Sequence, residues 1–297
     1  MHVAVLRQEI INFLAPKPGE NFIDGTCGSA GHTLAILEKN QPGGKILCFD
    51  WDNDALARAR KITEAKNKKL LERVIFINDN YANITRVVRK NNFGPVTGIL
   101  LDLGMSSEQL AESGRGFSFL KDEPLDMRYS LKQKLTAREI INQWDQRALE
   151  EIFQKYGEER RAREISRIII KNRKLKPILT TRELIDTIAL VIPKKFQYAR
   201  IHFATRIFQA LRIAVNDELE NLQRFLPQAI NILTKEGRLV IVSFLSLEDR
   251  IVKRFFQQQA KEEKIQILTK KPVVPTFDEI KINPRSRSAK LRAALKI

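Results

Sequence analysis

The chain has 297 residues, 43% of them hydrophobic, which is enough for one large domain or for a core domain with a smaller one attached. Its formal net charge of +17 and pI of about 9.9 point to a polyanionic partner. Nucleic acid leads over an anionic membrane, because no apolar run approaches the ~18 residues of a spanning helix. Only Cys27 and Cys48 are present, and His2, His32 and His202 are scattered. That argues against a disulfide framework and a metal site, and it suits a cytoplasmic protein. The first residues carry no signal-peptide pattern.

In chain order, the first third alternates short apolar runs with helical spacing. Asn21–Asp24 reads as a strand ending in an acid, and His32–Glu38 as a helix. Lys45–Asp50 is a second strand, again ending in an acid; Asp54–Ala65 is a helix with an Asp cap. Val74–Asn78 is a third strand, Tyr81–Lys90 a helix, and Val96–Leu103 a fourth strand. Strands that are apolar on both faces and alternate with helices predict a parallel, doubly wound α/β sheet.

The alternation then stops. A Gly-rich stretch, SGRGFSF, leads into a long, basic, mostly helical region. A helical pattern runs from near Ala204 to about Leu233, with a kink expected at Pro227. Arg238–Phe244 reads as a further buried strand, and Ser246 as the cap of the next helix, with Asp249 at its third position. The tail reads as a final edge or antiparallel strand. The expected organisation is a Rossmann-like core over 1–104 and 203–297, with a helical insertion over 105–202.

Charge follows that division. Residues 1–103 hold 14 Lys/Arg and 11 Asp/Glu, whereas residues 155–212 hold 15 and 5. The insertion is therefore the expected RNA-binding part. Lys194, Lys195 and Arg200, near Pro193, are the candidates to meet phosphates.

The loop Asp24–His32 joins the first strand to a helix. Its glycines, Gly25, Gly28 and Gly31, are spaced G-x-x-G-x-x-G, whereas a dinucleotide site would want G-x-G-x-x-G. An acid precedes the loop, which suits the ammonium of a methionine moiety and would repel a pyrophosphate. Asp50, at the end of the second strand, suits a carboxylate accepting ribose hydroxyls. S-adenosylmethionine is thus the expected cofactor.

Further segments carry a specific resemblance. They are HVAVLRQE at His2–Glu9, the loop, GILLDLGMSSEQL at Gly98–Leu110, RGFSF at Arg115–Phe119, PLDMR at Pro124–Arg128 and YGEER at Tyr156–Arg160. ATRIFQALRIAVN at Ala204–Asn216, SFLSLEDRIVK at Ser243–Lys253 and NPRSRSAKLR at Asn283–Arg292 complete the set. In this order they resemble the RsmH (MraW) methyltransferases, which modify N4 of a decoding-centre cytidine in bacterial 16S rRNA. The resemblance implies a class I methyltransferase fold, S-adenosylmethionine as donor, and 16S rRNA in the small subunit as partner. It also implies cofactor contacts at Ala30, Gly31, His32, Asp50, Tyr81, Asp102 and Gln109. Homodimerisation stays open.

Three departures stand out. The family's loop is richer in glycine and has Ser29 and Ala30 here, and a methyl at Ala30 is expected to fit only with a negative φ. Leu245 stands where the family usually has His, and His202-Phe203 replaces His-Pro.

An exocyclic cytosine amine is a weak nucleophile and benefits from an acceptor for its hydrogens. Phe117, Phe119 or Tyr129 could stack on an extruded base. Asp126, Arg128, Glu248, Asp249 and Arg250 are further polar candidates, and no general base is assigned. The competing readings are an NAD-dependent oxidoreductase, disfavoured by the glycine spacing, and a non-enzymatic RNA-binding assembly factor on the same fold.

Overall fold

The computed structural model describes residues 4–106, 109–110, 113–197 and 202–297. The chain opens with α1 (Arg7–Leu14), β1 (Asn21–Asp24), α2 (Gly31–Lys39) and β2 (Ile46–Asp50). Next come α3 (Asn53–Lys66), α4 (Lys68–Leu71) and β3 (Val74–Asn78). A 3-10 turn, Tyr81–Asn83, leads into α5 (Ile84–Lys90), and β4 (Val96–Asp102) follows. After it come α6 (Ala137–Gln143), α7 (Gln146–Lys155), α8 (Ala162–Arg173), α9 (Thr181–Ala189), α10 (Lys194–Gln197) and α11 (Thr205–Asn216). The last elements are α12 (Glu218–Ile232), β5 (Leu233–Ser243), α13 (Ser246–Lys261), β6 (Ile265–Ile267), α14 (Phe277–Ile282) and β7 (Lys290–Lys296).

These elements form two compact units, Met1–Gly104 with Leu219–Ile297, and Met105–Glu218. In the first, seven strands form one sheet in the order β3-β2-β1-β4-β5-β7-β6. Strands β1 to β5 are mutually parallel, and β7 runs antiparallel to both β5 and β6. The period of two decides what covers each face. Ile23, Leu47, Leu101 and Ile241 pack on one side with Phe225 and Phe256. Their neighbours Phe22, Ile46, Leu100 and Val240 pack on the other with Ile10 and Ile36. Both faces are therefore buried, as the uninterrupted apolar runs require.

The second unit is built on one core that includes Phe117, Ile140, Phe153, Ile165, Leu184 and Leu211. Its helix starts are well defined. Thr136 with Glu139, and Thr180 with Glu183, form reciprocal capping boxes at α6 and α9, each worth about 1 kcal/mol.

Three expectations change. The helical pattern over 204–233 is two helices, broken at Asp217 with φ 50°, while Pro227 lies inside α12. Helix α11 belongs to the second unit rather than to the sheet unit, because Phe208, Leu211 and Ala214 face that unit's core. The Asn216 carboxamide also accepts from the Tyr129 N–H and donates to the Met127 carbonyl. The tail strand β7 is antiparallel but lies inside the sheet, with the short β6 outside it.

Candidate active site

The parallel strands carry their acids to one end. Asp24, Asp50 and Asp102 close β1, β2 and β4, and Asp50 is in register with Asn78, which closes β3. The strand order reverses at β1, whose neighbours are β2 and β4. The carboxyl ends beside such a reversal are where open α/β sheets bind ligands.

The loop after β1 is held to this end by backbone bonds from Gly25 to Leu100 and from Cys27 to Phe49. A Cβ on Gly25 would come within 2.8 Å of Leu101 Cδ1 and 3.3 Å of the Leu100 carbonyl oxygen, so a side chain here would push Leu101 aside and crowd β4. Gly28 is needed for its φ of +51°. Its N–H donates to Asp50 Oδ2 at 2.8 Å, while Asp52 N–H donates to Oδ1 at 2.9 Å. Burial raises Asp50 from the ordinary carboxylate value to about 6, with these two donors pulling against it.

Asp24 does something other than the sequence suggested. It is 1% exposed, and it accepts from Thr26 N–H and from the Thr33 hydroxyl at 2.6 Å. Its carboxylate holds the loop against α2, and burial raises its pKa. Two positions that motif reading missed complete this frame. The Thr26 hydroxyl accepts the Asp102 N–H at 2.7 Å, tying β4 to the loop, and the Asn78 amide donates to the carbonyls of Asp50 and Trp51. Short polar residues beside strand ends are the only signal either one gives.

His32, in the first turn of α2, lies with Nε2 3.4 Å from Asp102 Oδ2. Among the described residues, both His32 ring nitrogens and Asp102 Oδ1 are buried without a hydrogen-bond partner. Buried polar atoms left unpaired are costly, so their convergence here marks a place built for a polar ligand. Tyr81 follows β3, and its ring sits edge-on to Phe225 with centroids 5.4 Å apart. Gly31 opens α2.

Ala30 corrects an expectation. It is fully buried at φ 61°, ψ 17°, in the left-handed region, as the residue before α2. Its methyl joins the apolar cluster of Leu37, Ile46 and Leu100, which offsets part of the ~1–2 kcal/mol that the conformation costs. Ala30→Gly is therefore expected to change stability by less than about 1 kcal/mol. Ala30→Val, β-branched at positive φ in a filled site, should cost more than about 2 kcal/mol. Urea unfolding of the two variants checks this; equal midpoints would sink it.

Gln109 lies in the second unit, where it is buried and its side-chain oxygen accepts from Ser106 N–H. Lys194 and Lys195 are exposed on α10, while Arg200 lies outside the described residues. Phe117 is core, stacked on Tyr129 at 5.5 Å, and Phe119 is stacked on His202 at 4.6 Å. Asp126 and Arg128 form a two-pronged ion pair that braces the segment before α6. Glu248 accepts from the N–H groups of Phe244 and Leu245, so Leu245 rather than Ser246 is the N-cap of α13. Asp249 is held by Arg292. No helix among the described residues is long and apolar enough to cross a membrane.

The family model described as the MraW methylase family matches residues 1–297. The chain belongs to the MraW methylase family. It is similar to proteins named ribosomal RNA small subunit methyltransferase H from Thermomicrobium roseum, at 44% identity over all of this chain and 94% of that one. A namesake from Nostoc punctiforme is 46% identical with the same coverage. A Streptococcus mutans protein described as a methyltransferase, solved with S-adenosylhomocysteine, aligns over the whole of both chains. Its TM-score is 0.50 at 13% identity, which is a likeness of fold. This MraW-family chain is a class I methyltransferase that uses S-adenosylmethionine. Its sheet end fits that cofactor: a carboxylate for the ribose at Asp50, a glycine turn that lets the ligand approach the backbone, and unpaired polar atoms at His32 and Asp102.

Proposed function

We propose that this chain methylates N4 of a cytidine in the decoding region of 16S rRNA in the small ribosomal subunit. The single observation that carries the reading is full-length relatedness, 42–46% identical, to proteins named for a small-subunit ribosomal RNA methyltransferase.

S-adenosylmethionine, when bound, supplies an electrophilic methyl group. The chain's residues do the rest. Asp50 accepts the ribose hydroxyls, and its two backbone donors fix its direction. The backbone of Ala30 and Gly31, at the start of α2, would hold the methionine end, and Tyr81 would pack near the adenine. Asp102 accepts a hydrogen from the cytosine amine as the nitrogen becomes tetrahedral. His32 Nε2, 3.4 Å from Asp102 Oδ2 and without a hydrogen-bond partner among the described residues, is a second polar group offered to the ligand beside Asp102. Incubating the protein with methyl-labelled S-adenosylmethionine and small subunits, then mapping the modified nucleoside, tests the reading. A label on any other nucleoside, or none, overturns it.

The insertion is the proposed RNA holder. Lys194 and Lys195 are exposed on α10, which Gln197 anchors by donating to the carbonyls of Ala189 and Ile192. Changing Lys194, Lys195 and Arg200 together to Ala should flatten the log–log salt dependence of rRNA binding by roughly two to three units, at about 0.7–0.9 per phosphate contact. Cofactor affinity should not move. A wild-type slope in the variant removes these residues from the interface.

A further inference from the structure

Between Lys270 and Lys290 the chain forms an outlying strap on the sheet unit. Six of its residues are Lys or Arg and two are acidic. The strap is fastened firmly. Val273 exchanges two backbone hydrogen bonds with Leu291 of β7, at 3.0 and 2.8 Å. Glu279, on α14, accepts the Leu6 N–H at 2.8 Å. Ser286 is fully buried, and its hydroxyl donates to the Asn283 carbonyl at 2.7 Å.

What this fixed backbone presents outward is unusual. Phe277 is 80% exposed, Ile282 74% and Val274 55%. A large aromatic ring held almost wholly in water, on a segment with three anchors, has no packing role of its own. The same segment carries Lys270, Lys271, Lys281, Arg285 and Arg287, all exposed, with Lys281 one helical turn from Phe277 on α14. No described carboxylate pairs with any of these five, whereas the next two cations, Lys290 and Arg292, are both bound by Asp249. The strap therefore separates its charges into a structural pair below and a free set on the surface.

One exposed aromatic face on a segment of unpaired cations matches the chemistry of single-stranded RNA, in which bases stack and phosphates need counter-charge. A neutral or basic peptide would leave five like charges unopposed, and a second copy of this chain would bring a net charge of +17 against them. We infer that the strap is an RNA-docking surface of the sheet unit, separate from the insertion. Phe277 stacks on an unpaired base, and Lys281, Arg285 and Arg287 hold the flanking phosphates. The inference rests on an RNA substrate and adds a second contact to it.

The experiment uses the full-length protein and a fluorescent twelve-nucleotide uridine oligomer, which contains no cytidine and so tests docking alone. Phe277→Ala and Phe277→Leu should each weaken binding by about tenfold, and Phe277→Trp should keep it, as stacking on the ring predicts. Lys281→Gln, Arg285→Gln and Arg287→Gln combined should reduce the salt slope by about two, at ~0.7 per contact with a single strand. On small subunits the same variants should raise KM and leave kcat and S-adenosylmethionine affinity unchanged. All four side chains are exposed, and an unchanged thermal midpoint checks that the variants fold. Wild-type oligomer affinity and wild-type KM in these variants overturn the inference. Equal binding by Phe277→Leu and wild type overturns stacking in favour of an apolar protein contact. If wild type fails to methylate cytidine but binds the oligomer through Phe277, the substrate reading fails and the docking surface stands.

Discussion

Asp102→Asn is expected to slow methyl transfer by roughly 10²–10⁴-fold, the range lost when a positioned acid–base group is removed. The substitution keeps the side-chain shape and leaves the bond from the residue-102 N–H to Thr26 intact. It removes the charge and converts one acceptor oxygen into a donor, beside a ring nitrogen of His32. The ligand-free protein should be little changed in stability, because Asp102 Oδ1 has no hydrogen-bond partner among the described residues. A single-turnover rate measured with saturating cofactor and small subunits isolates the chemical step. A wild-type rate in a folded Asp102→Asn protein would dismiss Asp102 from the reaction.

Asp50→Ala should weaken S-adenosylmethionine binding by roughly 10- to 150-fold, the equivalent of losing about 1.5–3 kcal/mol of hydrogen bonding to a charged group. Each Asp50 oxygen already accepts one backbone N–H. A carboxylate has about four acceptor sites, so two remain for ribose hydroxyls. The loss also strips the loop's Gly28 N–H of its acceptor. Burial has raised Asp50 to about 6, so the ionised form that accepts from the ribose is dominant only above that pH. Affinity should be flat from pH 8 to about 6.5 and fall about tenfold per unit below 6. For folding, the sign runs the other way. A raised carboxyl contributes stability that is complete below its unfolded value near 3.8 and is lost as the pH climbs through about 6. Calorimetric titration across pH tests the binding arm; a wild-type profile without a step near 6, or one that survives Asp50→Ala, would dismiss Asp50 as its source.

How far the sequence reaches is visible element by element. Val74–Asn78 reads correctly to the residue because it is an apolar run between polar borders, and the acids at Asp24 and Asp50 read as strand ends for the same reason; the fourth strand stops at Asp102, one residue short of the expected Leu103. Helix α1 has no such signature, since only Ile10 and Leu14 of its eight residues are buried. The break at Asp217 is invisible because a left-handed residue between two amphipathic helices leaves their apolar spacing nearly continuous. At the site, glycine spacing announces a nucleotide-type loop, but it does not announce which acid braces it. Asp24 and Asp50 look alike in sequence. Thr33 and Thr26, which make Asp24 structural, acquire that meaning only when α2 folds back over β1. The left-handed Ala30 is likewise a fact of packing, tolerable because its methyl is buried.

The placing of β7 inside the sheet has a consequence for how the molecule behaves in a crowd. Its outer side is an apolar strand with a full row of backbone donors and acceptors, and left bare it would recruit strands from other chains. That side is not covered by one long strand. Ile265–Ile267 pairs with Ala294–Lys296, Leu268 donates to the Ala293 carbonyl, and Val273 takes Leu291. The sheet therefore ends in two short, separate pieces, with Lys264, Lys270 and Lys271 exposed at their borders. A foreign strand finds neither the length nor the neutrality that growth of a cross-molecular ladder needs, so this end of the sheet resists aggregation by its own geometry.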